Sequence, residues 1–487
     1  MSQEEKKKKK KSFFLVCKFV TQSKVMDASG SLDNSKKQKL AEGEHCNGDN
    51  EDIISNLPDS ILHYILSFLP TKYAVGTSIL SQRWKFLWTS IHNFDFCDEH
   101  LFCTSSKSVN YRKRKRFFIE FVNNVLYCND VSKVHKFSLK CRECDPAHFR
   151  TWTSSIMRRE VQELSISVYK EYPYMYPHCF STFKSMRVLK IDMDISISIT
   201  GSVCFPSLKV LRLTSVKFCG GLSLPEVTLR CPILEESVLK CCTWSKIKTF
   251  SIYAPTLPML KIEGGYDDGP TDCVVKIYAE RLVSLKLKES LSFEFSLTEL
   301  SSLVDVSIDI YGTSDRDHHV ASVLKGIRSA RNLKLCAHSV EILSRPAISA
   351  HFLALPRLTH LEVLHGMTTS GKKLIELLSS MPYIEYLCFP SGTHSFLFKG
   401  YGRLIGTTPQ CFLSHLKLVE IRRFGWLLEE QWFLKFLIKS ARVMHKLIIK
   451  VTTRDSFSDK RPGEMPEKEI KELQMLARSS NCVVEFS

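Results

Sequence analysis

The chain has 487 residues, a formal charge of +17, 44% hydrophobic and 24% charged residues. That length exceeds what one hydrophobic core supports, so several modules or a stacked array are required. No run approaches the roughly 20 apolar residues of a membrane-spanning helix, and the 18 cysteines, scattered without a frame, read as reduced thiols rather than a disulfide scaffold.

Residues 1–49 read as a disordered basic tail, rich in Lys, Ser, Glu, Asn and Gly and without apolar periodicity. Within residues 1–40, eleven lysines face only Glu4, Glu5, Asp27 and Asp33. The six-lysine run Lys6–Lys11 and the apolar patch Phe13–Cys17 look superficially like a secretory leader. Lys18 interrupts that patch, and no clean small-residue cleavage site follows, so no secretory signal is expected.

Residues 50–97 form the next module. Pro58 stands where a first helical residue is favoured and Asp59 follows in the first turn. Ile61, Leu62, Ile65, Leu66 and Leu69 recur at helical spacing until Pro70. Thr71 is a plausible cap for a second helix carrying Ala74, Val75 and Ile79, in which Gly76 costs roughly 1 kcal/mol relative to alanine. A third short helix carries Trp84, Leu87 and Trp88. So short a segment cannot bury this much apolar surface by itself. Either the next domain or another polypeptide covers it.

The runs Leu57-Pro58-Asp59, Ile65-Leu66-Ser67-Phe68-Leu69-Pro70-Thr71-Lys72 and Leu80-Ser81-Gln82-Arg83-Trp84-Lys85-Phe86-Leu87-Trp88 resemble the plant F-box. The resemblance implies a three-helix module that docks on a Skp-type adaptor, which in turn joins a cullin scaffold. On that analogy Leu57, Pro58, Ile61, Leu62, Ile65, Leu66 and Val75 supply adaptor contacts. Trp84, Leu87 and Trp88 are divided between that interface and the junction with the next domain. Tyr73 departs from the family, whose members more often carry a small acidic or polar residue there, and its effect on docking is expected to be local.

Residues 98–117 read as a basic linker. Its knot Arg112-Lys113-Arg114-Lys115-Arg116 suits nucleic acid, acidic protein surfaces or import receptors, against a plainer reading as an exposed loop. Cys141, Cys144 and His148 come nearest to a metal half-site, but no second pair follows, so structural thiols are expected.

From residue 118 to 405 a phrase recurs: an apolar residue, a second three positions on, a third two further. The copies are Val134/Phe137/Leu139, Val161/Leu164/Ile166, Met186/Leu189/Ile191, Leu208/Leu211/Leu213, Leu234/Ser237/Leu239, Leu257/Leu260/Ile262, Leu282/Leu285/Leu287, Leu303/Val306/Ile308, Ala330/Leu333/Leu335, Leu358/Leu361/Val363 and Ile384/Leu387/Phe389, with Leu416/Val419/Ile421 beyond. The spacing falls mostly in the leucine-rich repeat range of about 20–29 residues. Proline often precedes a copy, as at Pro206, Pro232, Pro255, Pro356 and Pro382, where it is expected to open the strand. Each unit supplies one short strand, and stacked units share a core that none could bury alone. The fold class is therefore α/β: a helical module, then a solenoid of parallel strands. The uneven gaps, and Ser237 in an apolar slot, predict ragged connections on the convex side. Outward strand residues Lys209, Arg212, Lys261, Glu263, Lys286, Lys288, His360 and Glu362 are candidates for binding a target.

Residues 406–487 resemble the plant FBD domain, through Cys411-Phe412-Leu413-Ser414-His415-Leu416-Lys417-Leu418-Val419-Glu420-Ile421. A helix over Glu429–Ala441, a strand at Lys446–Val451, a helix from Pro466 with Ile470, Leu473, Leu476 and Ala477 on one face, and a last strand at Cys482–Phe486 are expected. Such a segment suits the closing of an open solenoid end.

No phosphate loop or nucleophile elbow occurs. His318-His319 stands in a polar run read as a loop, without a third ligand at usable spacing. No catalytic residue, cofactor or metal is expected. The resemblances imply the substrate-recognition adaptor of an SCF-type E3 ubiquitin ligase, itself not an enzyme, which holds an unknown protein target in the nucleus or cytoplasm. The alternative is a ubiquitin-independent protein- or nucleic-acid-binding scaffold, motivated by the charge, with nucleic acid the less favoured partner and no membrane partner.

Overall fold

The computed structural model describes Ile54 and residues 56–101, 111–169, 174–176, 184–199, 201–220, 226–264, 273–289, 293–298, 300–311, 317–398, 408–451, 467–478 and 482–487. The tail at 1–49, residues 102–110 of the linker and the start of the FBD segment lie outside them. The chain divides into two compact units: one of residues up to Ile197 with Leu213–Val216, the other of Ser198–Arg212 and Lys217–Ser487.

In the first unit, helices α1 (Asp59–Ser67), α2 (Thr71–Gly76) and α3 (Trp84–Leu87) precede strand β1 (Asn93–Cys97). Thr71 is not the cap of α2. It is the first helical residue, buried, and its hydroxyl accepts from Asp95 N at 2.7 Å. The side chain thus serves a neighbouring strand instead of its own helix end. β1 pairs in parallel with β2, so the helical module runs directly into the sheet. Helices α4 (Tyr111–Cys128) and α5 (Pro146–Met157) alternate with β2 (Lys136–Cys141) and β3 (Glu163–Val168), followed by β4 (Tyr174–Tyr176) and β5 (Val188–Ile199). β2, β3 and β5 continue the parallel ladder.

The basic knot is not a loop. Arg112–Arg116 fills the first turns of α4, whose later residues Phe118, Phe121, Val122, Val125 and Leu126 are buried. Those apolar positions extend the helix backward through the charged run. Lys115 pairs with Glu143 at 2.9 Å and Arg116 with Glu120 at 3.0 Å. Asn129, just past α4, is buried and donates to the carbonyls of Thr89 and Ile91 at 2.8 and 3.1 Å. Its carbonyl accepts from Arg159 at 3.1 Å, so one amide ties the end of the helical module to the first repeats.

The second unit begins with alternating strands: β6 (Gly201–Cys204), β7 (Val210–Gly220), β8 (Glu226–Arg230), β9 (Glu236–Lys240), β10 (Thr243–Ser245), β11 (Thr249–Tyr253), β12 (Met259–Glu263), β13 (Val274–Tyr278), β14 (Ser284–Glu289), β15 (Glu294–Thr298) and β16 (Asp305–Ile310). β9, β12, β14 and β16 form one parallel ladder. β6, β8, β11, β13 and β15 form a second, five-stranded one. The connections here are therefore regular strands, not the ragged segments expected. Val227/Leu229, Phe250/Ile252, Val275/Ile277 and Phe295/Leu297 are buried at alternate positions, which is the period of a half-buried strand.

Beyond β16 the connections turn helical: α6 (Asp317–Gly326), β17 (Asn332–Cys336), α7 (Ala337–Leu343), β18 (His360–Leu364), β19 (Thr369–Ser370), α8 (Gly371–Ser379), β20 (Tyr386–Phe389), β21 (Phe396–Leu397) and α9 (Gln410–Ser414). His318 and His319 lie in the first turn of α6 rather than in a loop. The FBD segment adds β22 (Leu418–Phe424), α10 (Leu428–Ser440), β23 (Lys446–Val451), α11 (Glu467–Arg478) and β24 (Val483–Phe486), close to the expected bounds. Its strands extend the same parallel ladder from β20 onward. The fold is thus helices at the N-terminus, a solenoid-like parallel sheet and an FBD end.

Each repeat phrase lies on or beside a strand, with its three residues buried. Two further copies went unread: Ile91/Phe94/Phe96 at β1 and Met444/Leu447/Ile449 at β23, all buried. The prolines do not open the strands. Phe205–Leu208, Cys231–Leu234, Ala254–Leu257 and Leu355–Leu358 close turns by hydrogen bonds of 3.1–3.3 Å. Pro206, Pro232, Pro255 and Pro356 therefore take the second turn position, where their fixed φ is favoured. Each such turn delivers the first repeat leucine into the core.

Two features of the second unit have measurable energies. Ser237, opposite Leu260, is fully buried and its hydroxyl has no partner among the described residues. Removing an unsatisfied buried hydroxyl is favourable, so Ser237→Ala should raise unfolding stability by about 1 kcal/mol in urea titration. Glu420 on β22 accepts from Tyr386 on β20 at 2.8 Å and pairs with Arg422 at 2.8 Å and Lys450 of β23 at 3.0 Å. The Arg422 hydrogen bond, opposed by burial and helped by Lys450 and Tyr386, holds its carboxyl down at about 2. A depressed folded-state value means stability present above the ordinary carboxylate range and lost as pH falls toward 2. Because Arg422 and Lys450 are half in solvent, we expect Glu420→Gln to cost about 1–2 kcal/mol at pH 7. Acid titration should then show a shallower loss of stability between about pH 4.5 and 2 than in the wild type.

Candidate functional site

Helix α1 is apolar on two sides. Leu62 and Leu66, four residues apart, are buried in the first unit. Ile61, Tyr64, Ile65 and Phe68, at i, i+3, i+4 and i+7, form a second stripe that points to solvent, with Tyr64 66% and Phe68 69% exposed. Tyr64 and Phe68 meet edge to face at 4.8 Å, which sets the outer end of the stripe. Nearby segments add Tyr73, Ile79, Leu80 and Phe86, all exposed. A helix apolar all round is normally covered on every side, and clustered exposed apolar groups of this kind mark interaction surfaces.

Arg83 organises the start of α1. Its guanidinium pairs with Asp59 at 2.6 Å and donates to the carbonyl of Leu57. The pair is exposed, so its contribution to stability is small. Its effect is geometric, since it fixes the Leu57-Pro58 entry to the helix beside the stripe.

The ten residues expected at the adaptor interface thus divide. Pro58, Ile61 and Ile65 are exposed and Leu57 is half-buried. Leu62, Leu66, Val75, Trp84, Leu87 and Trp88 are buried inside the chain itself. Sequence periodicity marked these positions as apolar but could not separate the inner stripe from the outer one. Tyr64 and Phe68, which it passed over, belong to the outer stripe and carry the same i, i+3, i+4 spacing.

The expected target-binding residues lie along the outer face of the second unit's parallel ladder, save Lys209, which precedes β7. Most are joined to charged neighbours, several of them across strands. Lys209 meets Glu235 at 2.6 Å and Arg212 meets Glu236 through two bonds of 2.7 and 2.9 Å. Lys261 and Lys286 both face Glu263, at 2.9 and 3.9 Å, while Lys288 faces Asp309 at 3.6 Å. Glu362 takes Lys334 at 2.7 Å, and the His360 ring lies 5.4 Å from that of Tyr386. Parallel register sets Lys334 opposite Glu362, and it sets Lys286 beside Lys261 so that both lysines reach Glu263. The face is a mosaic of paired charges, suited to polar recognition.

No catalytic arrangement emerges at the cysteines singled out earlier. Cys141 and Cys144 are buried free thiols, and hydrogen bonding to Cys144, together with burial, pushes the Cys141 thiol far up. His148 stacks instead on Trp152, at 5.9 Å. Among the described residues, no helix is long and apolar enough to cross a membrane.

Comparison with known proteins finds three domain models along the chain. The F-box domain model matches residues 54–96. The model described as "FBD-associated F-box protein At5g56370, LRR repeats" matches residues 149–296, and the FBD model matches residues 406–449. F-box/LRR-repeat protein At4g14096 of Arabidopsis thaliana is 28% identical over 456 residues, covering 89% of this chain and 94% of that protein. Putative FBD-associated F-box protein At3g50710, from the same plant, is 28% identical over 449 residues, 88% of this chain and 99% of its own. F-box/LRR-repeat protein At3g59200, also from that plant, is 30% identical over 322 residues, 60% of each chain. F-box, leucine-rich-repeat and FBD models thus match in that order along the chain, and over 88–89% of its length the chain is similar to plant F-box/LRR-repeat and FBD-associated F-box proteins.

Proposed function

We propose that this protein is the substrate-recognition adaptor of an SCF-type E3 ubiquitin ligase. The F-box docks on a Skp-type adaptor and through it on a cullin scaffold, while the repeat ladder holds a protein target. The chain then performs no chemistry. It raises the local concentration of target lysines near a ubiquitin carrier held by the same complex. The F-box and leucine-rich-repeat matches support this role.

The single observation that carries the docking step is the outer stripe of α1. Ile61, Tyr64, Ile65 and Phe68 are already exposed, so a partner can cover them without unfolding the module. The inner six residues act indirectly, by holding α1 in place. The charge mosaic on the ladder supports the target-holding part of the reading, with His360 and Glu362 at its later strands and Lys209 and Arg212 at its earlier ones. A nucleic-acid scaffold is less favoured, since Lys115 and Arg116 of the basic knot are bound to carboxylates.

The test is binding of the full chain to a purified Skp-type adaptor by calorimetry. Placing a carboxylate in the stripe with Ile65→Asp would bury an unpaired charge at the interface. We expect affinity to fall by at least about 100-fold, near 3 kcal/mol, with the melting temperature unchanged. Lys261→Glu on the ladder should leave adaptor affinity as in the wild type. Wild-type affinity in Ile65→Asp would refute the docking proposal.

A further inference from the structure

One cluster lies at the border of the ladder's charge mosaic, where Asp309 faces Lys288 on one side and His338 on the other. Ile308 of β16 pairs with Leu335 of β17, and the next residue on each strand is Asp309 and Cys336. Ile308 and Leu335 point into the core, so alternation sends Asp309 and Cys336 outward side by side. Cys336 is the N-cap residue of α7, and the second residue of that helix is His338. The imidazole Nε2 lies 2.6 Å from Asp309 Oδ1. One carboxylate oxygen, one thiol sulfur and one imidazole nitrogen come within 4.8 Å of one another.

Two contacts hold this group in shape. A glycine at 366 lets the following loop close on the ring, since a Cβ there would stand 2.8 Å from His338 Nδ1. That Nδ1 is buried and has no hydrogen-bond partner among the described residues. Ser339 Oγ also accepts from Ile310 N at 2.8 Å, pinning the first turn of α7 to the end of β16. His338 also lines a cavity of about 660 Å³, with Tyr311, Glu341, Arg345, Thr369 and Lys372 among its walls.

The constellation invites a nucleophile reading, with Cys336 attacking and His338 as base. The geometry opposes it, because the imidazole is engaged with the carboxylate through Nε2.

We propose that Asp309, Cys336 and His338 form a site for a single divalent transition-metal ion of the zinc class, with a fourth position left for water or a ligand. The mixed sulfur, nitrogen and oxygen set suits a borderline-soft cation. Tetrahedral bonds of about 2.0–2.3 Å place neighbouring ligand atoms roughly 3.3–3.8 Å apart. The histidine–carboxylate contact therefore opens by less than about 1.5 Å on binding. The thiol proton leaves to water, and the thiolate and carboxylate together balance the ion's two charges. Lys288, 3.6 Å from the other Asp309 oxygen and 39% exposed, has room to swing into solvent as the ion enters.

The experiment titrates the full-length wild-type chain with Co²⁺ and with Zn²⁺ alone, beside Cys336→Ser, His338→Gln and Asp309→Asn. Melting in chelator serves as the folding control. We expect the wild type to bind one more equivalent of metal than Cys336→Ser or His338→Gln. Its cobalt spectrum should show a thiolate charge-transfer band that Cys336→Ser lacks. Should Cys336→Ser melt early, Asp309→Asn, which preserves side-chain shape, carries the comparison: it should bind at least tenfold more weakly. Equal stoichiometry and affinity across the folded variants, or an unchanged charge-transfer band in Cys336→Ser, would overturn the site.

Discussion

Parallel stacking of short strands is the constraint on which the repeat region depends. One strand with two inward residues cannot bury its own edge, but the next strand in register can do so for it. The repeat leucines are accordingly buried from Leu208 to Ile421 almost without exception. The same stacking brings residues one repeat apart into contact at the outer face. Arg212 with Glu236, Lys334 with Glu362 and Asp309 with His338 are all neighbours of this kind. Both the ion-pair mosaic and the proposed metal site are products of that period.

What bridges the repeats on the other side is less constrained. Between β6 and β15 short strands suffice, because their alternate residues meet like partners in the next repeat. Later, longer connections place helices there instead. The change falls at α6, where Gly326 approaches Leu297 so closely that a Cβ would stand 2.3 Å from it. A side chain at 326 would hold the helix off the last strand of the five-stranded sheet.

The F-box solves a different problem. Its helices are too short to form a closed core, and they rest on β1 and on the buried amide of Asn129. With α1 held from below by Leu62 and Leu66, its outer stripe is a firm apolar surface rather than a fraying segment. A rigid apolar surface loses little conformational freedom on binding, which favours affinity.

The amino-acid sequence alone determined the modules, the position of nearly every ladder strand and the elements of the FBD segment. Each of these follows from local spacing: helical periods around Ile61–Leu69, the three-then-two phrase of the repeats, and breakers such as Pro70. It also carried signals that passed unread, in Ile91/Phe94/Phe96 and in the alternation of Val275 and Ile277. Only the tertiary structure decided which stripe of α1 faces outward, because both stripes obey the same period. Only the tertiary structure assembled Asp309, Cys336 and His338, since ligands contributed by successive turns of a solenoid are neighbours in register and distant along the chain.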